Sequence, residues 1–237
     1  VALARAWLSR PRLLLMDEPL AALDEPRKDD IFPYLERLRD IAEVPILYIS
    51  HNLSEVARLA DDLVVVQHGN VVTNGTAEAV LSDPAALPFV GVREAGSILT
   101  AKVTAHEPDG LSRLEFSGGE LILPGVRAAI GTRIRIRVPA QEVLLALKQP
   151  EGLSSRNVLP VTVEAIHKGV GPGVAVLLRA GQDRLLARLT GRAAEDLGLA
   201  PGTRCYAVLS ATAVPRTSIG SGGLMASETE RSRVGDE

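Results

Sequence analysis

Leu13-Leu14-Leu15-Met16-Asp17-Glu18-Pro19, continuing as Leu20-Ala21-Ala22-Leu23-Asp24, sets the architecture of this chain. Four apolar residues run into two acids without alternation, the pattern of a central parallel strand covered on both faces. Two carboxylates just beyond such a strand stand where open α/β sheets bind ligands. Asp17 suits a magnesium ion held mostly through water, because a hard cation takes oxygen ligands and gives up its hydration reluctantly. Glu18 is then placed to orient or deprotonate an attacking water. The same letters also fit a buried strand that ends in a solvated acidic turn, and the pair alone does not separate the two. A second apolar run, Pro45-Ile46-Leu47-Tyr48-Ile49-Ser50, ends on His51.

The bulk properties narrow the function classes. At 237 residues the chain has room for one or two domains and a sizeable core. A formal net charge of −3, with no basic stripe, argues against a nucleic-acid partner. One cysteine, Cys205, excludes an internal disulfide framework and fits a reducing compartment. No apolar run approaches the roughly 20 residues that span a bilayer. No charged-then-apolar leader follows Val1, so the expectation is a cytosolic protein.

Outward from the acidic strand, Val1 to Leu8 reads as a helix that Ser9-Arg10-Pro11 ends. Between Pro26 and Ile41 the positions Ile31, Leu35, Leu38 and Ile41 share one helical face, with Pro33 expected to kink the interior. A short helix is expected from Asn52 to Ala60 with Leu53, Val56 and Ala57 inward. Asp62 to Gln67 reads as a strand, His68-Gly69-Asn70 as a turn before Val71-Val72-Thr73, and a helix begins near Thr76. Strands alternating with helices at this spacing indicate a parallel sheet, with a boundary near residues 90 to 97.

Beyond that boundary the pattern changes to short strands and glycine or proline turns, a small all-β region of barrel-like form. Its strands are expected at Leu121–Leu123, Arg133–Val138, Val161–Ile166 and Val174–Leu178, with one helical turn at Ala193–Leu197. Arg133-Ile134-Arg135-Ile136-Arg137-Val138 alternates strictly, and its arginines read as a solvated strand face. Ser117-Gly118-Gly119-Glu120 reads as a β-turn. Residues 217–237, poor in apolar anchors, are expected to be a disordered tail.

Asp17-Glu18-Pro19-Leu20-Ala21-Ala22-Leu23-Asp24 resembles the Walker B motif and D-loop of the ATP-binding cassette (ABC) ATPases, and His51 stands where that family carries its switch histidine. The resemblance covers roughly residues 1 to 90. It implies ATP and magnesium as cofactors, with Asp17 organising magnesium, Glu18 the water, His51 sensing the γ-phosphate and Asp24 communicating across a dimer. The family's signature sequence is missing, since the chain begins just beyond its place. No Gly-x-x-x-x-Gly-Lys-Ser/Thr occurs either, and the stretch from Gly125 to Thr132 lacks the lysine and the spacing. Without that loop nothing supplies the backbone cradle and lysine that phosphates need. The expectation is the C-terminal part of a longer protein that does not turn over ATP alone.

Ser154-Ser155-Arg156-Asn157-Val158-Leu159 resembles the Ser-x-Arg-Asn motif of the mop (molbindin-type) oxyanion-binding domain, a likeness running through Lys168-Gly169 to Tyr206-Ala207-Val208-Leu209. A tetrahedral dianion needs converging donors and positive charge. Ser154 offers a hydroxyl, Arg156 a fork of donors, Asn157 an amide and Lys168 a cation. Equally, Arg156 and Asn157 could stabilise a turn between two β halves. Mop domains usually carry a lysine where Ser210 stands, and losing that cation removes a contact of about 1.5–3 kcal/mol.

The two resemblances together imply the ATP-binding subunit of a molybdate ABC importer. The expected fold class is α/β, a partial P-loop NTPase parallel sheet with helices, followed by an all-β OB-like or mop barrel domain. The expected division is 1–92 for the cassette portion, 97–150 for a first β half, 151–216 for the mop domain and 217–237 for the tail. Implied partners are a second ATPase subunit forming a homodimer, an integral-membrane permease and, indirectly, an extracytoplasmic molybdate-binding protein, with no nucleic acid. The implied place is the cytoplasmic face of the membrane, peripherally. An oxyanion-binding regulatory module with a vestigial ATPase part, and an importer for another solute such as sulfate, remain alternatives.

Overall fold

The structure, a computed structural model, describes residues 2–41, 44–83, 86, 89, 95–168, 171–211, 214 and 219. The tail expected at 217–237 therefore lies, apart from Ile219, outside the described residues, as does most of the expected boundary segment.

The first region is α/β. Helix α1 (Ala2–Leu8) precedes strand β1 (Leu14–Asp17), helix α2 (Glu25–Ile41) and strand β2 (Ile46–Ile49). The two strands are parallel, in register from Leu14 opposite Ile46 to Asp17 opposite Ile49. Leu14, Met16, Leu20, Phe32 and Leu35 form their core, with Trp7, Leu23, Ile31, Leu38 and Tyr48 packed around it. The expectation of cover on both faces is not met. Leu15 is 64% exposed, and Leu47 and Ile49 are exposed beside it. Among the described residues the helices cover one face only, so each open side chain leaves about 1.5–3 kcal/mol of burial unrealised. Ile41, expected inward, is also exposed, at the last residue of α2. The helix runs unbroken through Pro33.

Helix α3 (Leu53–Leu59) starts at Asn52, whose Oδ1 accepts the N–H groups of Ser54 (2.9 Å) and Glu55 (3.4 Å). Strands β3 (Asp62–Gln67) and β4 (Asn70–Thr76) pair antiparallel as a separate hairpin rather than extending the parallel sheet. Two loop residues, His68 (φ 49°) and Gly69 (φ 77°), make a type I′-like turn, and a parallel crossover needs a far longer connection. Thr76 caps helix α4 (Ala77–Ser82).

The second region is all-β. Strands β5 (Gly96–His106), β6 (Leu111–Phe116), β7 (Gly119–Pro124) and β8 (Arg133–Pro139) form one antiparallel sheet in the order β7-β6-β5-β8. Strands β9 (Val143–Ala146), β10 (Asn157–Lys168), β11 (Gly173–Ala180), β12 (Asp183–Thr190) and β13 (Arg204–Leu209) form the other, in the order β12-β11-β10-β13-β9. Helix α5 (Gly191–Asp196) lies between β12 and β13. One core, including Leu99, Leu121, Ile136, Leu159, Leu178 and Leu185, spans both sheets, and β9 pairs with β13 across the expected division near residue 150. Buried Ser97 accepts the Leu186 N–H at 2.8 Å, fastening β5 to β12. Ser117, in the turn between β6 and β7, bonds the hairpin turn of β11 and β12 at the N–H groups of Gln182 (2.8 Å) and Asp183 (3.1 Å).

The arginine face of β8 is solvated only at Arg133. Arg135 donates to Ala60 O (2.8 Å) and pairs with Asp61 (2.6 Å) at the end of α3, while Arg137, 6% exposed, reaches Ser54 Oγ (3.4 Å) at its start. The alternation marks the strand correctly, but α3 and the residues that end it meet Arg135 and Arg137. Among the described residues no helix is long and apolar enough to cross a membrane.

Candidate functional site

Parallel pairing brings the tips of β1 and β2 side by side. Glu18 N–H bonds Ile49 O at 2.9 Å, one step past the last paired residue, and the chain then turns sharply. Glu18 adopts φ 45°, a left-handed conformation that costs a non-glycine residue about 1–2 kcal/mol. The turn aims its carboxylate at the end of β2. There Oε1 accepts the His51 backbone N–H at 2.9 Å and lies 2.6 Å from His51 Nδ1, and Oε2 is 3.4 Å from Ser50 Oγ.

These donors hold the Glu18 carboxyl below its ordinary value, the His51 ring bond being the largest cause and burial opposing it. An ionised carboxylate at 2.6 Å selects the His51 tautomer with the proton on Nδ1. Nε2 then faces outward on a side chain that is 84% exposed, ready to meet a ligand. Asp17, the exposed last residue of β1, has no hydrogen bond or ion pair on its carboxylate among the described residues, which fits an outer-sphere hold on a hydrated magnesium ion. Glu18 and His51 therefore meet at the tips of β1 and β2, with Asp17 the residue just before Glu18.

Asp24 stands apart from that edge and caps α2, its Oδ1 accepting the Arg27 N–H at 3.1 Å. Four residues that the sequence reading did not single out for the site support the edge. Ser50 Oγ lies 3.0 Å from Glu55 Oε2, the Tyr48 hydroxyl donates to the same oxygen at 2.8 Å, and Lys28 pairs with Glu55 Oε1 at 3.0 Å. Burial, and then the Glu55 carboxylate, raise the Tyr48 phenol above its ordinary range. Asn52-x-x-Glu55 is a helix-start signature that the sequence carries, so Glu55 was findable as a capping-turn acid though not as a partner of Ser50.

The four residues considered for an oxyanion are not brought together within one chain. Asn157 is 1% exposed, and its amide is spent on β7: Oδ1 accepts the Ile122 N–H (2.7 Å) and Nδ2 donates to Ile122 O (3.1 Å). This matches the alternative in which Asn157 ties two β halves together. Ser154 and Arg156 are exposed at the start of β10. Lys168 lies at the far end of that twelve-residue strand, 4.0 Å from Glu195. Gly169 is outside the described residues. Ser155, adjacent to the residue singled out, bonds Leu209 O and accepts the Asn157 N–H at 3.2 Å.

Residues 153–215 match the TOBE domain family. Along nearly its whole length the chain also aligns with curated proteins named molybdenum import ATP-binding protein ModC. The one from Mesorhizobium japonicum is 43% identical over 94% of this chain and 60% of its own length. The one from Rhizobium etli is 44% identical over 90% of this chain and 60% of its own. This chain is similar to the ModC proteins over that span. It spans about three-fifths of the length of these relatives. Among solved structures, the cytoplasmic molybdate-binding protein ModG, with molybdate bound, is 26% identical over 53% of this chain and 96% of its own, with a TM-score of 0.46. A molybdate-binding protein from Sporomusa ovata is 32% identical over 27% of this chain and 92% of its own, with a TM-score of 0.26.

Proposed function

We propose that this chain is the C-terminal portion of the ATP-binding, energy-coupling subunit of a molybdate ABC importer, and that Asp17, Glu18 and His51 form its γ-phosphate-facing edge. The observation that carries the reading is the 2.6 Å Glu18–His51 contact at the tips of two adjoining parallel strands, in a chain similar to ModC. Glu18 orients or deprotonates the attacking water. His51 presents Nε2 to the γ-phosphate, and Asp17 steadies magnesium through water. ATP supplies the cleavable phosphoanhydride and magnesium neutralises its charge.

In this reading the phosphate cradle and the signature lie in the part of the relatives that this chain does not span, so the chain alone does not turn over ATP. The one-sided sheet of β1 and β2 supports the same division, because its exposed leucine and isoleucine face suits further strands and helices. The subunit works as a homodimer in which Asp24 meets its partner. It sits peripherally on the cytoplasmic face of the membrane, moves a permease supplied by an extracytoplasmic molybdate-binding protein, and binds no nucleic acid. We divide it as 1–92 for the cassette portion, 97–150 and 151–216 for the β region, and 217–237 for a tail. The β region serves the assembly structurally, since the Asn157 amide is already spent within the fold.

In the longer protein, Glu18→Gln is expected to keep ATP while losing about 10²–10⁴-fold in turnover, accumulating an ATP-held dimer on size exclusion. Normal turnover would refute the role given to Glu18.

A further inference from the structure

Ser50 stands between two carboxylates. Its Oγ lies 3.0 Å from Glu55 Oε2 and 3.4 Å from Glu18 Oε2, and it accepts the Asn52 N–H at 3.1 Å. A hydroxyl carries one proton, so Ser50 donates to one acid at a time. Glu55 is nearly fully buried, held by Lys28 at 3.0 Å and by the Tyr48 hydroxyl at 2.8 Å. Lys28 belongs to the first turn of α2, where its N–H bonds Asp24 O at 3.0 Å. A polar chain therefore runs from the Lys28 ammonium through Glu55 and Ser50 to Glu18 and His51.

We propose that Ser50 is a positioning residue for Glu18, its single hydroxyl proton divided between the Glu18 carboxylate and the Lys28-paired Glu55 carboxylate. This deepens the reading of Glu18 as the water-orienting acid and rests on it. A change in the Lys28–Glu55 pair alters how strongly Glu55 draws on the Ser50 hydroxyl. The Ser50 proton then shifts toward or away from Glu18 Oε2, and the grip of Oε1 on His51 changes with it. The start of α2 is thus tied to the catalytic edge through one hydroxyl, with no ligand needed to make the link.

The test reads the His51 backbone N–H, which donates to Glu18 Oε1, by hydrogen exchange in this chain. Ser50→Ala is expected to speed its exchange about fivefold, the loss of one hydrogen bond, and Ser50→Thr, which keeps the hydroxyl, to leave it unchanged. Tyr48→Phe removes a competing donor to Glu55, draws the Ser50 proton away from Glu18, and gives a smaller acceleration that disappears in the Ser50→Ala background. Unchanged exchange in Ser50→Ala, or a Tyr48→Phe effect equal in both backgrounds, overturns the proposal. If Ser50→Ala does not fold, unchanged exchange in Tyr48→Phe overturns it instead. Failure of the Glu18 reading is distinguishable: it appears as normal turnover of Glu18→Gln, with the exchange differences intact.

Discussion

Strands β1 and β2 bury Leu14 and Met16 against helices and turn Leu15, Leu47 and Ile49 to solvent, whereas the strands of the β region place Leu99, Leu121, Ile136, Leu178 and Leu185 in a core shared by two sheets. Both regions are rich in apolar strand residues, and the second buries most of them, Leu144 of β9 excepted. The difference lies in closure. Two sheets facing each other supply cover for every inward position, while two parallel strands with helices on one side leave half of theirs open. Polar contacts divide the same way. In the β region Ser97 and Asn157 fasten one strand to another, and in the first region Glu18, Ser50 and His51 gather at a strand tip around an exposed imidazole.

The largest test of this contrast substitutes equivalent leucines. Leu185→Ala is expected to cost about 2–5 kcal/mol in denaturant unfolding, and Leu15→Ala to stay within about 0.5 kcal/mol. Equal losses would mean that the open face is covered in solution. Next, Asn157→Ala should cost about 1–3 kcal/mol, because the Ile122 N–H and C=O both lose a partner at the joint of β7 and β10. A neutral result would remove the clip from the account of closure.

The smallest effect is a pH dependence confined to the strand tips. The folded Glu18 carboxyl titrates below its usual 4.5, so its contribution is complete above that value and is lost as pH falls through the lower folded value. Nuclear magnetic resonance should therefore still show the His51–Glu18 contact at pH 4.5. Loss of the contact at higher pH would contradict the sign of the shift.

Much of this was readable from residues alone, and what escaped shares a cause. Leu14 to Asp17 and Ile46 to Ile49 are strands, Asn52 and Thr76 cap helices, and Arg133 to Val138 is a strand, because each depends on local pattern and capping chemistry. The burial of Arg137 depends on α3, some eighty residues earlier in the chain, and no local signal announces that docking. Asn157 was recognisable as a polar group needing partners, but Ile122 was not recognisable as the partner. The turn read at His68-Gly69-Asn70 is there, and its two residues with positive φ make β3 and β4 a hairpin, separate from the parallel pair of β1 and β2. For the site, Glu18 and His51 stood out by position, while Ser50, Tyr48 and Lys28 become informative only once parallel pairing and helix packing bring them to Glu55.

The central claim is that Glu18 and His51 act as one unit at a phosphate-facing edge. It is tested most directly by a double-mutant cycle on ATP turnover in the longer protein, with Glu18→Gln, His51→Ala and both together. The account predicts that the double substitution is no slower than the more damaging single one. Losses that multiply, each substitution slowing turnover by the same factor whether or not the other is present, would contradict it.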